Sequence, residues 1–105
     1  VQYDGYKFDS KLEAARYKQL KLMASAGELS HLELQPKYPC EVNGKKICTY
    51  IADFRYQLKN GDTVVEDVKG VETAVFKLKK KLVESLYPGV RIQIVKNPRF
   101  FVVSG

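Results

Sequence analysis

Asp53, Asp67 and Lys69 are the residues whose types and spacing could do chemistry in this chain, and Glu13 is a further acid that could join them. In "VVEDVKG", residues 64–70, a run that begins as buried strand ends in three charges. Alternate side chains of a strand share a face, so Asp67 and Lys69 point one way, and Glu66 and Val68 the other. Asp53, in the preceding extended run, shares a face with Ile51 and Arg55. Register decides whether the two aspartates meet. A two-residue Asn60-Gly61 loop sets Asp53 opposite Val68, on the face of Glu66. A three-residue Lys59-Asn60-Gly61 loop, a type I turn with a G1 bulge, pairs Leu58 with Asp62 and Asp53 with Asp67. Opposed neighbours have Cβ atoms about 5 Å apart, and two carboxylates that close repel unless a proton or a cation lies between them. Mg²⁺ (or Mn²⁺), hard and oxygen-seeking, is the natural occupant. Glu66 falls on the wrong face and is left out of this set.

Each acid also has a plainer account. Ser10-Lys11-Leu12-Glu13 has the S-x-x-E form of a capping box. Asp53 reads as a strand-end charge facing solvent, and Asp67 with Lys69 as a surface ion pair worth less than about 1 kcal/mol. Taken singly these accounts are the stronger ones. Taken together the residues form a pattern that little besides a metal site would require.

The elements that must position them can be read from periodicity and turn signals. Residues 1–9 suggest a small strand or turn. Ser10 to about Ala26 reads as a helix, with Leu12, Ala15, Leu20 and Met23 at helical spacing and Gly27 as its stop. Residues 32–42 look extended, and Pro36 and Pro39 argue for an edge or bulged strand. Asn43-Gly44 signals a hairpin. Ile47 to Leu58 is a long strand and Thr63 to Lys69 its partner. Thr73 to Tyr87 is a second helix with Val75, Leu78, Leu82 and Leu86 inward, ended by Pro88-Gly89. Val90 to Val95 is a further strand and Phe100 to Val103 a last one. The connection through the second helix is long enough for a crossover between parallel neighbours. The expected architecture is a single α/β domain over residues 1–105, with helices on both faces of a mixed sheet.

Composition sets the outer bounds. The chain has 105 residues, enough for one modest core, with 45% hydrophobic and 29% charged residues. No apolar run approaches the roughly 20 residues that span a bilayer, so no membrane partner is expected. No secretory signal is visible, and the absence of an initiator Met suggests a trimmed start. The formal charge is +6 and the isoelectric point about 9.3, which suits an anionic partner. Cys40 and Cys48 flank the Asn43-Gly44 turn and lack partners at zinc spacing; they read as reduced cytosolic thiols, with a disulfide across the hairpin as the alternative. His31, the sole histidine, reads as a surface or strand-entry residue.

The combined pattern, a helix carrying Glu13, a strand with Asp53, then Asp67-Val68-Lys69, a helix and another strand, resembles the PD-(D/E)XK nuclease superfamily. More closely, "YKFDSKLEAARY", "LELQPKY", "YIADFRY", "VVEDVKG" and "FKLKKKL" resemble a family of small phage and prophage proteins of uncharacterised function, similar to those nucleases, Holliday-junction resolvases among them. Ala52-Asp53 departs from the Pro-Asp of the motif name. The resemblance implies a restriction-endonuclease-like α-β-β-β-α-β core with a mixed central sheet flanked by helices. It implies a metal-dependent endonuclease that hydrolyses phosphodiester bonds of DNA, branched or recombination-intermediate DNA included, in the cytoplasm of a bacterial host. Asp53, Asp67 and the Val68 carbonyl would bind one or two Mg²⁺ ions, with Glu13 assisting directly or through water, and Lys69 would orient the attacking water or stabilise developing charge. A homodimer follows by analogy with resolvases, which need two sites for two symmetric cuts.

"FKLKKKL" holds four lysines in seven residues. As a phosphate rail it would use Lys77, Lys80 and Lys81, with Lys7, Lys11 and Arg16 adding positive surface near Glu13; as a solvated helix face it would do nothing specific. Gln35 either points into the site or makes a hydrogen bond at a strand bulge. Tyr50, Phe54 and Tyr56 read as core. The alternatives of a different class are a non-catalytic nucleic-acid-binding module and a phage regulatory or interaction protein that keeps the nuclease fold.

Overall fold

The computed structural model describes residues 1–96. A two-stranded ribbon opens it, β1 (Gln2–Tyr3) and β2 (Tyr6–Lys7). Its Asp4-Gly5 turn has φ of 55° and 77°, the doubly left-handed geometry that matches strand twist in tight hairpins. Ser10 then caps α1 (Lys11–Ser25), its side-chain oxygen accepting from the Glu13 N–H at 3.1 Å. The helix ends in a left-handed Gly27 at φ 77°, with the Gly27 and Glu28 N–H groups donating to Ala24 and Met23 carbonyls, which satisfies carbonyls the last turn would leave bare.

From position 29 to 58 the chain runs out and back once. β3 (Leu29–Leu34) pairs with β6 (Phe54–Leu58), Leu34 opposite Phe54; β4 (Lys37–Val42) pairs with β5 (Lys45–Ile51), Lys37 opposite Ile51. The register is the same on both sides of the interruption, so these four strands are one long hairpin bent in the middle. The unbroken Ile47–Leu58 strand expected from sequence is therefore two strands, and the first leg begins earlier than residue 32. Pro36 has no N–H to give a ladder, and Gln35 sits at φ 53°, so regular pairing stops there. Two backbone bonds bridge the bend, Gln35 N–H to the Asp53 carbonyl at 3.0 Å and Ala52 N–H to the Pro36 carbonyl at 3.1 Å. At the far tip, Asn43 and Gly44 form the expected two-residue turn. Cys40 and Cys48 stand opposite each other as free thiols.

β7 (Thr63–Val68) runs antiparallel to β6, and α2 (Ala74–Leu86) carries the chain over to β8 (Ile92–Val95), which lies parallel to β7. The sheet order is β3-β6-β7-β8, a mixed four-stranded sheet. Alternation along the strands builds two cores. Phe54, Tyr56, Val64 and Val68 pack with Tyr17 and Leu20 of α1 on one face. Val65 and Ile92 pack with Tyr38 and Tyr50 of the bent hairpin and Phe76 and Val83 of α2 on the other. The Phe100–Val103 strand expected from sequence lies outside the described residues.

The inward face of α2 differs from expectation. Val75 and Leu78 are 63% and 68% exposed, while Phe76 and Val83 are buried and Leu82 and Leu86 half-buried. Phe76 and Val83 are two turns apart and so lie on one stripe; the Val75–Leu78 stripe is rotated from it, and docking the aromatic buries more area.

Glu66, which the strand alternation left out of the candidate set, is the most deeply placed charge, 1% exposed. It projects toward α1, where Arg16 Nε and Nη2 donate to its two oxygens at 2.8 and 2.7 Å and the Tyr56 hydroxyl donates to Oε2. Arg16 Nη1 donates to Gln19 Oε1 at 3.0 Å. Arg16 is thus buried in a forked pair and adds nothing to a positive surface, which corrects its expected role in DNA binding. Removing one partner of a buried pair leaves the other uncompensated, at a cost of about 3–5 kcal/mol, whereas replacing both with apolar groups is far milder. Urea denaturation should show Arg16→Ala and Glu66→Ala each losing stability on that scale, and Arg16→Met combined with Glu66→Leu losing clearly less. A cost below about 1 kcal/mol for either single variant would refute the structural role.

Candidate functional site

Lys59, Asn60 and Gly61 form a three-residue loop. Leu58 N–H donates to the Asp62 carbonyl at 2.8 Å and Gly61 N–H to the Leu58 carbonyl at 2.9 Å. Gly61 has φ 93°, a conformation that favours glycine. Phe54 stands opposite Glu66, and the ladder is irregular just before it: the Asp53 N–H donates to the Glu66 carbonyl, as at a bulge, so Asp53 does not pair with Asp67 as the expected register has it. The three-residue loop sets the β6–β7 register as expected, but the irregular pairing at Asp53 leaves the two aspartates opening on different cavities.

Asp67 is 2% exposed and faces the bent hairpin and α2. Its Oδ2 accepts a hydrogen bond from the Tyr50 hydroxyl. Its Oδ1 lies 3.1 Å from Lys69 Nζ but accepts no properly directed hydrogen bond. Lys69 is further held over the Phe76 ring, 4.6 Å from its centre, in a cation–π contact. Burial and the bond to Asp67 push the Tyr50 phenol far above its ordinary range, so it stays a donor. A cavity of about 300 Å³ opens here, bordered by Tyr50, Asp67, Lys69, Thr73, Phe76 and Lys79.

Asp53 lies at the bend, just before β6. Its Oδ2 accepts from the Val68 N–H at 2.7 Å and its own N–H donates to the Glu66 carbonyl at 3.1 Å. The carboxylate thereby stands in for a ladder partner at the end of β7. It borders a second cavity, of about 350 Å³, together with Lys7, Glu13 and Gln35. Burial pushes Asp53 up to about 7, helped by the charges of Asp67 and Glu13 and opposed by the Val68 hydrogen bond and Lys69. Glu13 is also raised, first by burial and then by Asp9 and Asp67, against a backbone hydrogen bond at Asp9. The carboxylates are electrostatic neighbours, although Asp53 and Asp67 open on different cavities.

The structure thus gathers Glu13, Asp53, Asp67, Val68, Lys69 and Gln35 around the ends of β6 and β7. Gln35 borders the Asp53 cavity, and its backbone N–H is bonded across the bend. Lys11 is exposed on the first turn of α1, and Lys77 and Lys81 are exposed on α2. Lys80 is half-buried and paired with Glu84 at 3.2 Å, so it is not an open member of a rail. Thr73 and Lys79 were not singled out as site residues by sequence, and Tyr50 was read as core. A tyrosine rather than phenylalanine at an inward strand position was the available signal, because a buried hydroxyl needs a partner. Among the described residues, no three His, Cys, Asp or Glu side chains converge on one point as a metal cluster.

The Asp53 shift fixes a sign. Between the ordinary carboxylate range and about 7, folded Asp53 holds a proton that the unfolded chain has lost, so stability falls as pH rises through that window. Glu13 acts in the same direction. Glu84 is held below its usual range despite burial, by the Ile92 N–H and Lys80, and acts oppositely at lower pH. The urea midpoint should be higher at about pH 5.5 than at about pH 8, and Asp53→Asn should flatten most of the difference. An equal slope in the variant would show that Asp53 is not its source.

No curated protein and no solved structure matches the chain. One family model matches it over residues 1–101. The chain therefore belongs to the family described as "Protein of unknown function (DUF1064)".

Proposed function

We propose that this protein is a metal-dependent endonuclease that hydrolyses phosphodiester bonds of DNA. The observation that carries the reading is Asp67: a buried carboxylate with one oxygen on Tyr50 and the other facing Lys69 without a directed hydrogen bond, next to Val68, whose N–H is held by the Asp53 carboxylate. Buried polar atoms ordinarily find donors, and a carboxylate oxygen left this way suits a hard cation. The helix and strand order also supports it. With the bent tip β4–β5 set aside, the order α1-β3-β6-β7-α2-β8 is compatible with the α-β-β-β-α-β order that the resemblance implies.

Asp67, Asp53 and the Val68 carbonyl would hold Mg²⁺ or Mn²⁺, with Glu13 assisting from the adjoining cavity. When bound, such an ion supplies Lewis-acid activation of a water and neutralises phosphate charge. Tyr50 holds the Asp67 carboxylate in one orientation. Lys69, now paired with Asp67, would turn to the phosphate and stabilise charge developing on it, as a compact ammonium can. Lys79 borders the same cavity and would contact the phosphate, and Lys11, Lys77 and Lys81 would contact the backbone further out. Branched DNA and a homodimer with two cutting sites belong to the proposal as its narrower form.

A second reading has its own support. Asp53 has a structural partner in the Val68 N–H and Asp67 one in Tyr50, so both charges would also suit a nucleic-acid-binding or regulatory protein that keeps the fold without cutting. Incubation with linear, single-stranded, nicked and four-way DNA, with Mg²⁺, Mn²⁺ or chelator, separates the two. The nuclease reading expects metal-dependent cleavage lost by about 100-fold or more in Asp67→Ala and Lys69→Ala. Salt-sensitive binding without cleavage under either metal would favour the second reading, and cleavage that survives both substitutions would remove the site.

A further inference from the structure

The two cavities at the ends of β6 and β7 differ in chemistry. The one beside Asp67 is bordered by two basic residues, Lys69 and Lys79, and by Thr73. The one beside Asp53 has apolar walls from Tyr6, Phe8, Leu34 and Phe54, and a polar side from Gln35 and Lys7 with the carboxylates of Glu13 and Asp53. A phosphodiester would meet two carboxylates in the second cavity and gain little from its hydrocarbon. A nucleobase matches it, with an apolar π-face for the walls and a donor–acceptor edge for an amide.

Tyr6 is built for such contact. It is 49% exposed at the lip of the cavity, and its ring is braced edge-on against Tyr17 with centres 5.8 Å apart. Tyr17 is in turn fixed by its hydroxyl on Asp4 and by packing on Phe8. A ring held in place before binding loses little entropy on stacking. Gln35 borders the same space from a left-handed backbone at φ 53°, a conformation costly for a residue other than glycine.

Building on the proposed function, we infer that this cavity accepts one unstacked base next to the phosphate being cut, with that phosphate on the Lys69–Lys79 side. The substrate is then DNA with an unpaired nucleotide at the cleavage point, not continuous duplex, since a paired and stacked base cannot enter a side cavity without leaving the helix.

Fluorescence anisotropy of the full chain in chelator tests this without cleavage, using a labelled single strand, a blunt duplex of equal length and the same duplex with one unpaired nucleotide. The wild type should prefer the single strand and the bulged duplex over the blunt duplex. Tyr6→Ala should weaken binding to the first two by about 5- to 100-fold and leave the blunt duplex unchanged. Tyr6→Phe should keep the preference. Gln35→Gly, which accepts the backbone angle, should weaken the same two substrates alone. Preference for blunt duplex, equal losses on all three substrates, no effect of Tyr6→Ala in a chain whose circular dichroism is unaltered, or no binding to any of them would overturn the inference. Because no metal is present, a selective Tyr6 effect would stand even if cleavage were never seen, and cleavage could be seen without it.

Discussion

Register between β6 and β7 is the constraint on which the rest of the molecule depends. One additional residue in the 59–61 loop, with Gly61 in the left-handed region, decides which charges of β7 face which helix. With this register Glu66 stands opposite Phe54 and turns to α1 with Val64 and Val68, while Asp67 turns with Val65 to the bent hairpin and α2. A slip by one residue would break these pairings and turn Glu66 and Asp67 to each other's faces. Both cores and the candidate site would fail together, because the same alternation builds them.

Two buried carboxylates sit side by side in β7, and their surroundings treat them differently. Glu66 has a forked arginine and a tyrosine, and both of its oxygens are satisfied. It ties α1 to the sheet. Asp67 has one tyrosine and an ammonium that is about one-third exposed. Burial of a charge is costly unless paired and hydrogen-bonded, so the first arrangement is complete and the second is poised. That asymmetry distinguishes a structural ion pair from a candidate site more clearly than residue type does.

The bend at Gln35-Pro36 and Ala52-Asp53 links these charges to their environment. It folds the tip of the long hairpin over the α2 face, where Tyr38, Cys40 and Tyr50 complete the second core. It also leaves Asp53 outside regular pairing, free to use its side chain on the Val68 N–H. Without the bend Tyr50 would continue the sheet plane, and Asp67 would lose its donor. Pro36 and the strained Gln35 thus shape the site from the edge of the sheet.

Much of this was legible in the chain. Ser10, Gly27, Asn43-Gly44 and the crossover length determined the helix start, the helix stop, the hairpin tip and the parallel β7–β8 pair, since capping, turns and connection length are local matters. The three-residue loop at Gly61 followed from counting residues, whereas the irregular pairing at Asp53, which keeps it from standing opposite Asp67, did not. What the sequence left undecided depended on which surfaces compete for burial. Periodicity allowed two stripes on α2, and only packing against the hairpin chose Phe76 and Val83 over Val75 and Leu78. An arginine at position 16 looks like surface charge until a glutamate fifty residues away is turned toward it. Tyr50 looks like core until the bend lowers its hydroxyl onto Asp67. Local backbone chemistry was written in the sequence; the pairing of buried charges, which needs both partners in place at once, was decided by the tertiary structure.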